Sequence, residues 1–279
     1  MQTKLIFLDV DGTLADSEGH VPASALDALR RVRAAGHLCF INTGRPYSHI
    51  EPAVQQIETD GYICSCGQYI QLQGQVLRRV GFTEEESRRI RRLAAEQGLN
   101  AVYEAEEGFW LALTYPDPGL ERWAARFAAR GFDVYGEPGR FDKFCVWAAS
   151  DHAAEQFRRA VSPIATGIDR GGGMWEMTKA GCSKAAGLDW VRQYFGAAKQ
   201  DCYAAGDSPN DIPMLRAVAH GIAMGGSDAS VRQAAEYVTD SMEQDGLARA
   251  LAHYGLFSSD KEVSSCSRTE LSSPVEKSE

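Results

Sequence analysis

The sequence predicts an α/β fold, a Rossmann-like, doubly wound parallel sheet into which an α+β domain is inserted. Two observations lead to this prediction. Apolar strand segments alternate with amphipathic helical segments in the first and last thirds of the 279-residue chain, and this order implies parallel strands joined by crossovers. The middle of the chain alternates charged helices with short apolar strands, so it can bury a core of its own.

The first third supports the parallel sheet directly. Its predicted elements are a strand at 4–8, a helix at 22–35, a strand at 37–41 and a helix from Pro46 to Ile57. Leu26, Leu29 and Val32 share one face of the first helix, and Gly36 is a natural stop after it. The order strand, helix, strand, helix is typical of an open α/β sheet.

The last third repeats this order. Its predicted elements are a helix from Ser183, a strand at 201–205, a helix from Ser208-Pro209, a strand at 221–224 and a helix at 231–237. Ser183 can cap its helix, whose apolar face is formed by Leu188, Val191 and Phe195. These elements are expected to complete the sheet begun in the first third.

The middle segment sets the predicted domain limits. Its helices are expected at 84–97 and 120–130, and its strands at 101–103, 109–113, 132–135 and 143–148. We therefore assign 1–81 and 178–256 to a discontinuous core and 82–177 to the inserted domain. Residues 257–279 are rich in Ser, Glu and Lys without an apolar period, which predicts a disordered tail.

The composition narrows the classes of function. The chain is 44% hydrophobic and 24% charged with a net charge of −9, which argues against nucleic acid or an anionic membrane surface as a partner. An anionic substrate stays possible, because a metal ion can reverse the sign of an acidic site. Seven scattered cysteines predict reduced thiols. With no signal peptide in evidence, a cytoplasmic location is expected. The sequence favours no particular oligomeric state.

Two carboxylates follow the first strand directly, at Asp9 and Asp11. Ligands gather beyond the carboxyl ends of strands in such sheets, and one carboxylate can attack phosphorus while the other transfers protons. Their charge also favours Mg²⁺. The alternative interpretation is a hairpin turn, because Asp11-Gly12 between apolar residues is a strong turn signal.

A second acidic segment, residues 206–211, follows another predicted strand. A helix start explains Ser208, Pro209 and Asp211 but leaves Asp207 without a task. Asp207 is therefore the stronger metal-ligand candidate, and Asp211 would act either directly or through another ligand. Asn210, in the same loop, is added as a candidate phosphate-binding residue.

Thr43-Gly44-Arg45 and Lys184 are the remaining candidates. A hydroxyl and a glycine amide at a helix start can hold an anion, although Thr43 would also serve as an ordinary helix cap. Lys184 lies in a first helical turn, where a cation opposes the helix dipole. This placement suggests that it holds a phosphoryl group; Lys179 is a weaker candidate, and a solvated lysine is the alternative.

The four segments share one expected position, the carboxyl ends of strands of one sheet. This coincidence is stronger than any one motif. Neither a Walker-type loop nor a Ser-His-Asp constellation with an elbow motif occurs in the sequence.

In these motifs the sequence resembles the haloacid dehalogenase-like superfamily of phosphohydrolases, and within it the Cof-like branch (subfamily IIB). The motifs are residues 9–13, 43–45, 183–184 and 206–211, with further likeness at 223–225 and 245–246. The resemblance implies an aspartyl-phosphate on Asp9, proton transfer by Asp11, phosphoryl binding by Thr43 and Lys184, and a short flap after Asp11. It implies Mg²⁺ held by Asp9, the main-chain carbonyl of Asp11, and Asp207, and it makes 82–177 a cap over the site.

Two departures from the branch affect substrate contacts. Cys66-Gly67 stands where relatives often have Asn-Gly, and Gly226-Ser227-Asp228-Ala229 lacks an asparagine that many carry before the alanine.

Three hypotheses of function follow. The first is a Mg²⁺-dependent phosphatase for a small phosphorylated metabolite such as a sugar phosphate. The second is a phosphomutase on the same framework, and the third is a non-catalytic binding protein. Aromatic or charged cap residues would select the substrate, with Trp110, Tyr115, Arg140 and Trp175 as candidates that could equally be structural.

Overall fold

The structure is a computed structural model that describes residues 2–16 and 18–257. Most of the predicted tail, 257–279, therefore lies outside the described residues. Phe257 lies inside them and was wrongly assigned to the tail. It packs against the core, with the Arg31 guanidinium 4.3 Å from its ring centroid.

The elements are numbered in chain order. The strands are β1 (Leu5–Leu8), β2 (Leu38–Asn42), β3 (Gly61–Cys64), β4 (Tyr69–Leu72), β5 (Gln75–Arg79), β6 (Asn100–Ala105), β7 (Gly108–Ala112), β8 (Lys143–Trp147), β9 (Ala165–Gly171), β10 (Met174–Lys179), β11 (Cys202–Gly206), β12 (His220–Ala223) and β13 (Tyr237–Val238). The helices are α1 (Ala23–Ala34), α2 (Pro52–Gln55), α3 (Glu84–Glu96), α4 (Pro118–Ala129), α5 (Asp151–Val161), α6 (Lys184–Tyr194), α7 (Ile212–Ala217), α8 (Ala229–Ala234) and α9 (Gly246–His253).

The first sheet has the strand order β13-β12-β11-β1-β2-β3-β4-β5. Its strands from β13 to β3 run parallel, and β4 and β5 extend the β3 edge antiparallel. The side chains of β1 alternate between two cores. Ile6 and Leu8 face α1 and α9, whereas Leu5 and Phe7 face α6 and α7. The predicted α/β class and parallel sheet are confirmed, with helices on both faces.

The second sheet has the order β7-β6-β8-β10-β9 and is antiparallel throughout. Helices α3 and α5 cover one face of it, over a core that includes Tyr103, Phe144 and Phe157. Helix α4 covers part of the other face, where Phe109 and Phe127 stack with ring centroids 3.9 Å apart. The uncovered part of that face lies opposite the carboxyl ends of the parallel strands.

Three predicted elements are wrong. Residues 132–135 form no strand; Val134 contributes a single main-chain bond, its carbonyl accepting from the N–H of Leu111. The helix predicted from Pro46 to Ile57 is broken, because Pro52 holds Glu51 in an extended conformation. Only a 3₁₀ turn at 47–49 and the short α2 form there. The last predicted helix ends early, since Ala235 is extended and Tyr237 belongs to β13.

The hairpin β4–β5, helices α5 and α9, and strands β9 and β10 were not predicted. Within the described part of the chain, no helix combines the length and the apolar character that crossing a bilayer requires. The cysteines in these residues are buried and unpaired, and Cys266 lies outside them.

Candidate active site

The strand order brings the predicted segments together. Because β1 lies between β11 and β2, Asp9, Thr43 and Asp207 follow neighbouring parallel strands at one edge of the sheet. Lys184 was predicted to lie at the carboxyl end of a strand of the same sheet, and this prediction is wrong. It begins α6, which follows β10 of the second sheet rather than a strand of the first.

Lys184 joins two carboxylates. Its Nζ donates hydrogen bonds of 2.6 Å to Asp9 Oδ1 and of 2.6 Å to Asp211 Oδ1. All three residues are buried, with exposed fractions of 2% for Lys184, 3% for Asp9 and 0% for Asp211. A cation in the first turn of a helix is unfavourable, and these two carboxylates offset that cost.

The charges in this cluster do not balance. Burial, and after it the charge of Asp211, raises the pKa of Asp9 well above its usual range despite Lys184. Burial and Asp211 also raise the pKa of Asp207 to about 6. Burial alone would lower the pKa of Lys184, but the charges of Asp211 and Asp9 raise it instead. One ammonium therefore faces three carboxylates.

Those three carboxylates fit a metal ion. One oxygen from each of Asp9, Asp207 and Asp211 lies within 4.8 Å of the others, and carboxylate oxygens are the ligands that Mg²⁺ prefers. Gly12 permits this approach: its φ is +75°, and a Cβ there would lie 2.5 Å from Asp207 Oδ2. Thr13 Oγ1 donates to Asp207 Oδ1 at 3.5 Å.

Asp211 also orders the loop that carries Asp207. Its Oδ2 accepts from the main-chain N–H groups of Asp207 (3.1 Å) and Ser208 (3.0 Å). With one oxygen on Lys184 and the other on this loop, Asp211 is committed to holding the site together. The prediction had left its role open.

Asp11 is paired with Arg45, a contact that the sequence did not predict. Arg45 Nε donates to Asp11 Oδ2 at 2.9 Å, and its Nη1 lies 2.5 Å from Glu51. The turn after Asp11 is closed by the Gly12 N–H, which donates to the Ala15 carbonyl at 2.9 Å. A turn therefore forms in this segment, as the alternative interpretation predicted.

The candidate phosphate-binding residues lie around this cluster. The buried Thr43 Oγ1 accepts from the main-chain N–H of Arg45 at 3.2 Å. Gly44 and Asn210 line the cavity above Asp9. Asn210 donates from Nδ2 to Glu176 Oε2 at 3.3 Å and so contacts the second sheet. Lys179 lies elsewhere, bonded to the Gly81 carbonyl and to Glu86.

A cavity of about 380 Å³ separates the strand ends from the second sheet. Asp9, Asp11 and Lys184 form one wall of it. The opposite wall consists of residues from the second sheet and α4: Glu104, Trp123, Arg126, Phe127, Arg130, Lys143, Cys145, Arg170, Met174 and Glu176.

The four cap residues suggested from the sequence do not line this cavity. Trp110 packs on the α3 side of the second sheet, and Trp175 lies under the Arg158 guanidinium, 3.7 Å from its centroid. Tyr115 donates to the Trp147 carbonyl, and Arg140 donates to the Phe82 carbonyl. These four residues therefore have structural roles in packing and in main-chain hydrogen bonds, which was the alternative interpretation of each.

The second sheet contributes a buried ion cluster to the cavity. Lys143 Nζ lies 2.8 Å from Glu176 Oε1 and 3.3 Å from Glu104 Oε1. Arg170 Nη1 adds a contact of 3.4 Å to Glu176 Oε2. Although burial alone would raise it, the pKa of Glu176 falls to about 2 because Lys143 and then Arg170 favour the carboxylate.

Sequence reasoning missed this cluster. Most neighbours of Glu104, Lys143 and Glu176 along their strands are apolar, and a charged residue that such a strand buries needs a partner. That signal was present in the sequence. It does not reveal which strands pair, and so could not show that the three meet.

Comparison with known proteins agrees with the fold. The sequence model of the haloacid dehalogenase-like hydrolases matches residues 6–133 and 141–251. The chain therefore belongs to this family of hydrolases, and within it to the Cof-like branch.

Two solved structures and one sequence relative illustrate the likeness. The phosphatase BT1666 of Bacteroides thetaiotaomicron is 30% identical with a TM-score of 0.78, over 91% of this chain and 96% of its own. The subclass IIB sugar phosphatase BT4131 is 26% identical with a TM-score of 0.78, over 91% and 100%. The 5-amino-6-(5-phospho-D-ribitylamino)uracil phosphatase YitU of Bacillus subtilis is 28% identical, over 91% and 99%. The chain is accordingly a phosphoric monoester hydrolase.

Proposed function

We propose that the protein is a Mg²⁺-dependent phosphatase for a small phosphorylated metabolite and that Asp9 is its nucleophile. The observation that carries this proposal is the position of Asp9, which is held by Lys184 beside two further carboxylates at the floor of the cavity. The sugar phosphatase among the structural relatives makes a sugar phosphate a suitable first substrate to test.

The proposed reaction has two steps. An Asp9 carboxylate oxygen forms a bond to phosphorus, the bond from phosphorus to the ester oxygen breaks, and protonated Asp11 gives its proton to the departing oxygen. Water then attacks the aspartyl-phosphate, Asp11 takes up a proton, and phosphate leaves with Asp9 restored. Both Asp11 oxygens accept hydrogen bonds from Arg45 in this structure, so that pair must open before Asp11 can reach the departing oxygen.

The binding roles follow from position. Asp9, Asp207 and the main-chain carbonyl of Asp11 would hold Mg²⁺, and Asp211 would support Asp207 through the loop bonds. The ion, when bound, supplies positive charge to the phosphoryl oxygens and relieves the excess negative charge of the cluster. Lys184, Thr43, Gly44 and Asn210 would hold the transferring phosphoryl group.

The inserted domain, residues 82–177, would act as a cap that excludes water from the reaction. Two groups of hydrogen bonds to the 47–50 segment are among the contacts that hold it against the core. The N–H groups of Tyr47 and Ser48 donate to the Glu106 carboxylate. Arg130 donates to the main-chain carbonyls of Ser48, His49 and Ile50.

The test is phosphate release from a hexose phosphate with Mg²⁺ by the native protein and by Asp9→Asn. We expect a loss of about 10⁴-fold or more, because the nucleophile is removed. Asp27→Asn, an exposed carboxylate on α1, is the control and should keep full activity. Undiminished release by Asp9→Asn would contradict the mechanism.

A second measurement separates hydrolysis from transfer. Asp11→Asn, given an ester whose leaving group needs no proton, such as 4-nitrophenyl phosphate, should accumulate a protein whose mass is increased by one phosphoryl group, because Asp11 is then needed only for the attack of water. The native protein should release free phosphate. Isomerised hexose phosphate without phosphate release would instead identify a phosphomutase.

A further inference from the structure

The wall of the cavity that belongs to the inserted domain is positively charged. It carries four cations, Arg126, Arg130, Lys143 and Arg170, against two carboxylates, Glu104 and Glu176. This surplus occurs in a chain whose net charge is −9. A local field of opposite sign to the whole protein concentrates a ligand of the opposite charge.

Two of these cations are already used by the protein. Lys143 is held between Glu104 and Glu176. Arg130 donates to three main-chain carbonyls of the 48–50 segment. Neither is available for a ligand without breaking contacts between or within the domains.

The other two cations have donors to spare. Among the described residues, Arg126 has no hydrogen-bond or ion-pair partner although it lines the cavity. The Nη1 of Arg170 is buried without a hydrogen bond, since its contact with Glu176 is a 3.4 Å ion pair. A buried guanidinium donor left unsatisfied is costly, and a ligand acceptor would satisfy it.

We propose that the leaving group of the substrate carries a second anion, a carboxylate or a phosphate, which Arg126 and Arg170 bind. This inference rests on the proposed function and specifies its substrate class. The carboxylates of this wall are occupied, Glu176 by Lys143, Arg170 and Asn210, and Glu104 by Lys143. Unused donors therefore outnumber unused acceptors, which favours an anion over a neutral polyol. Trp123 and Met174 offer apolar surface beside it.

Matched pairs of phosphate esters test the proposal. 6-Phosphogluconate and sorbitol 6-phosphate are both open chains and differ at C1 by a carboxylate in place of a hydroxymethyl group, and fructose 1,6-bisphosphate and fructose 6-phosphate differ by a phosphate. We expect kcat/KM for phosphate release to be higher for the member with the second anion by about 10- to 100-fold, the range of one or two charged hydrogen bonds. The pair with the larger ratio identifies the anion as carboxylate or phosphate.

Arg126→Gln and Arg170→Gln should each reduce this ratio by about 10-fold, mainly through KM. Arg122→Gln is the matched control, an exposed arginine on the same helix that does not line the cavity. It should leave the ratio unchanged. Thermal unfolding of each variant verifies that it is folded.

Equal kcat/KM for both members of both pairs would overturn the anion subsite. So would an equal loss on both members in Arg126→Gln and Arg170→Gln, which would place these arginines on the transferring phosphoryl group. The member of each pair whose leaving group is uncharged tests the proposed function separately. Activity on sorbitol 6-phosphate or fructose 6-phosphate that survives Asp9→Asn would contradict the proposed mechanism, whatever the ratios.

Discussion

Two buried lysines face each other across the cavity, and each lies between two carboxylates. Lys184 joins Asp9 and Asp211 in the parallel-sheet core. Lys143 joins Glu104 and Glu176 in the inserted domain. Both ammonium groups lie within 2.6–3.3 Å of their partners, so geometry alone does not distinguish the two clusters.

Each cluster contains a fourth charged residue, and the charge of that residue differs between the two clusters. The Lys184 cluster has a third carboxylate, Asp207, whose pKa is raised to about 6 by burial and by Asp211. The Lys143 cluster has a second cation, Arg170, which together with Lys143 lowers the pKa of Glu176 to about 2. With one cation and three carboxylates the first cluster is two positive charges short, whereas the second, with two of each, is balanced.

This difference explains what each cluster can do. A set of carboxylates that resists ionisation is completed by a cation, and so it is suited to a metal-assisted nucleophile. A balanced set of buried charges stabilises little by itself because desolvation offsets the attraction. The balanced Lys143 cluster instead holds its strands together and positions the Arg170 guanidinium on the cavity wall. This contrast predicts that substitutions in the Lys184 cluster mainly lower activity, whereas substitutions in the Lys143 cluster mainly lower stability.

The largest expected difference is between Lys184→Met and Lys143→Met. Lys184→Met removes the cation beside the proposed nucleophile, Asp9, so kcat on a hexose phosphate should fall by about 10²- to 10³-fold. Lys143→Met leaves two buried carboxylates without their shared cation and should lower the free energy of unfolding by about 3–5 kcal/mol. Its kcat, corrected for the folded fraction, should fall much less.

Denaturant unfolding and steady-state kinetics on both variants measure these effects. Equal losses of kcat in the folded fraction of the two variants would remove the functional distinction between the clusters. A stable Lys143→Met variant would show that Lys143 is not needed to compensate Glu104 and Glu176.

Mg²⁺ provides the second test. At a concentration 100 times its Kd, an ion that binds only the folded state adds about 3 kcal/mol of stability. We expect Mg²⁺ to raise the Tm of the native protein and to lose most of this effect in Asp207→Asn. Glu104→Gln, in the balanced cluster, is the matched control and should keep the Mg²⁺-dependent increase. An increase that persists in Asp207→Asn would move the metal away from the proposed position.

The two clusters also differ in how far they could be predicted from sequence. Asp9, Asp207 and the Thr43 segment each follow a short apolar strand, and a parallel sheet necessarily collects such strand ends at one edge. Local sequence order was therefore sufficient to predict that edge. The partner of Asp11, which is Arg45, and the double task of Asp211 depend on side-chain directions that no local pattern specifies.

The Lys143 cluster was beyond local reasoning for a physical reason. Its members come from β6, β8 and β10, and they meet through antiparallel pairings such as Glu104 with Lys143. That register depends on contacts between residues far apart in the chain. The failure at 46–57 has a local cause instead, because the effect of Pro52 on Glu51 was outweighed by an apparent helical pattern.

The smallest expected effect concerns the pH dependence that Glu176 adds to stability. Its folded pKa, about 2, lies below the ordinary value of 4.5, so its contribution is fully present above pH 4.5 and is lost as the pH falls toward 2. Between pH 7 and pH 3.5 the native protein should lose about 1 kcal/mol through this group. Glu176→Gln should lack that component.

The measurement is the difference in unfolding free energy between the native protein and Glu176→Gln, followed by urea titration from pH 7 to pH 3.5. Glu155→Gln, an exposed glutamate on α5, serves as the control for a general change of charge. If this difference in unfolding free energy decreases by about 1 kcal/mol between pH 7 and pH 3.5, the result supports a balanced cluster. A gap that widens instead would mean that the pKa of Glu176 is raised, and the Lys143 cluster would then resemble the charge-deficient site across the cavity.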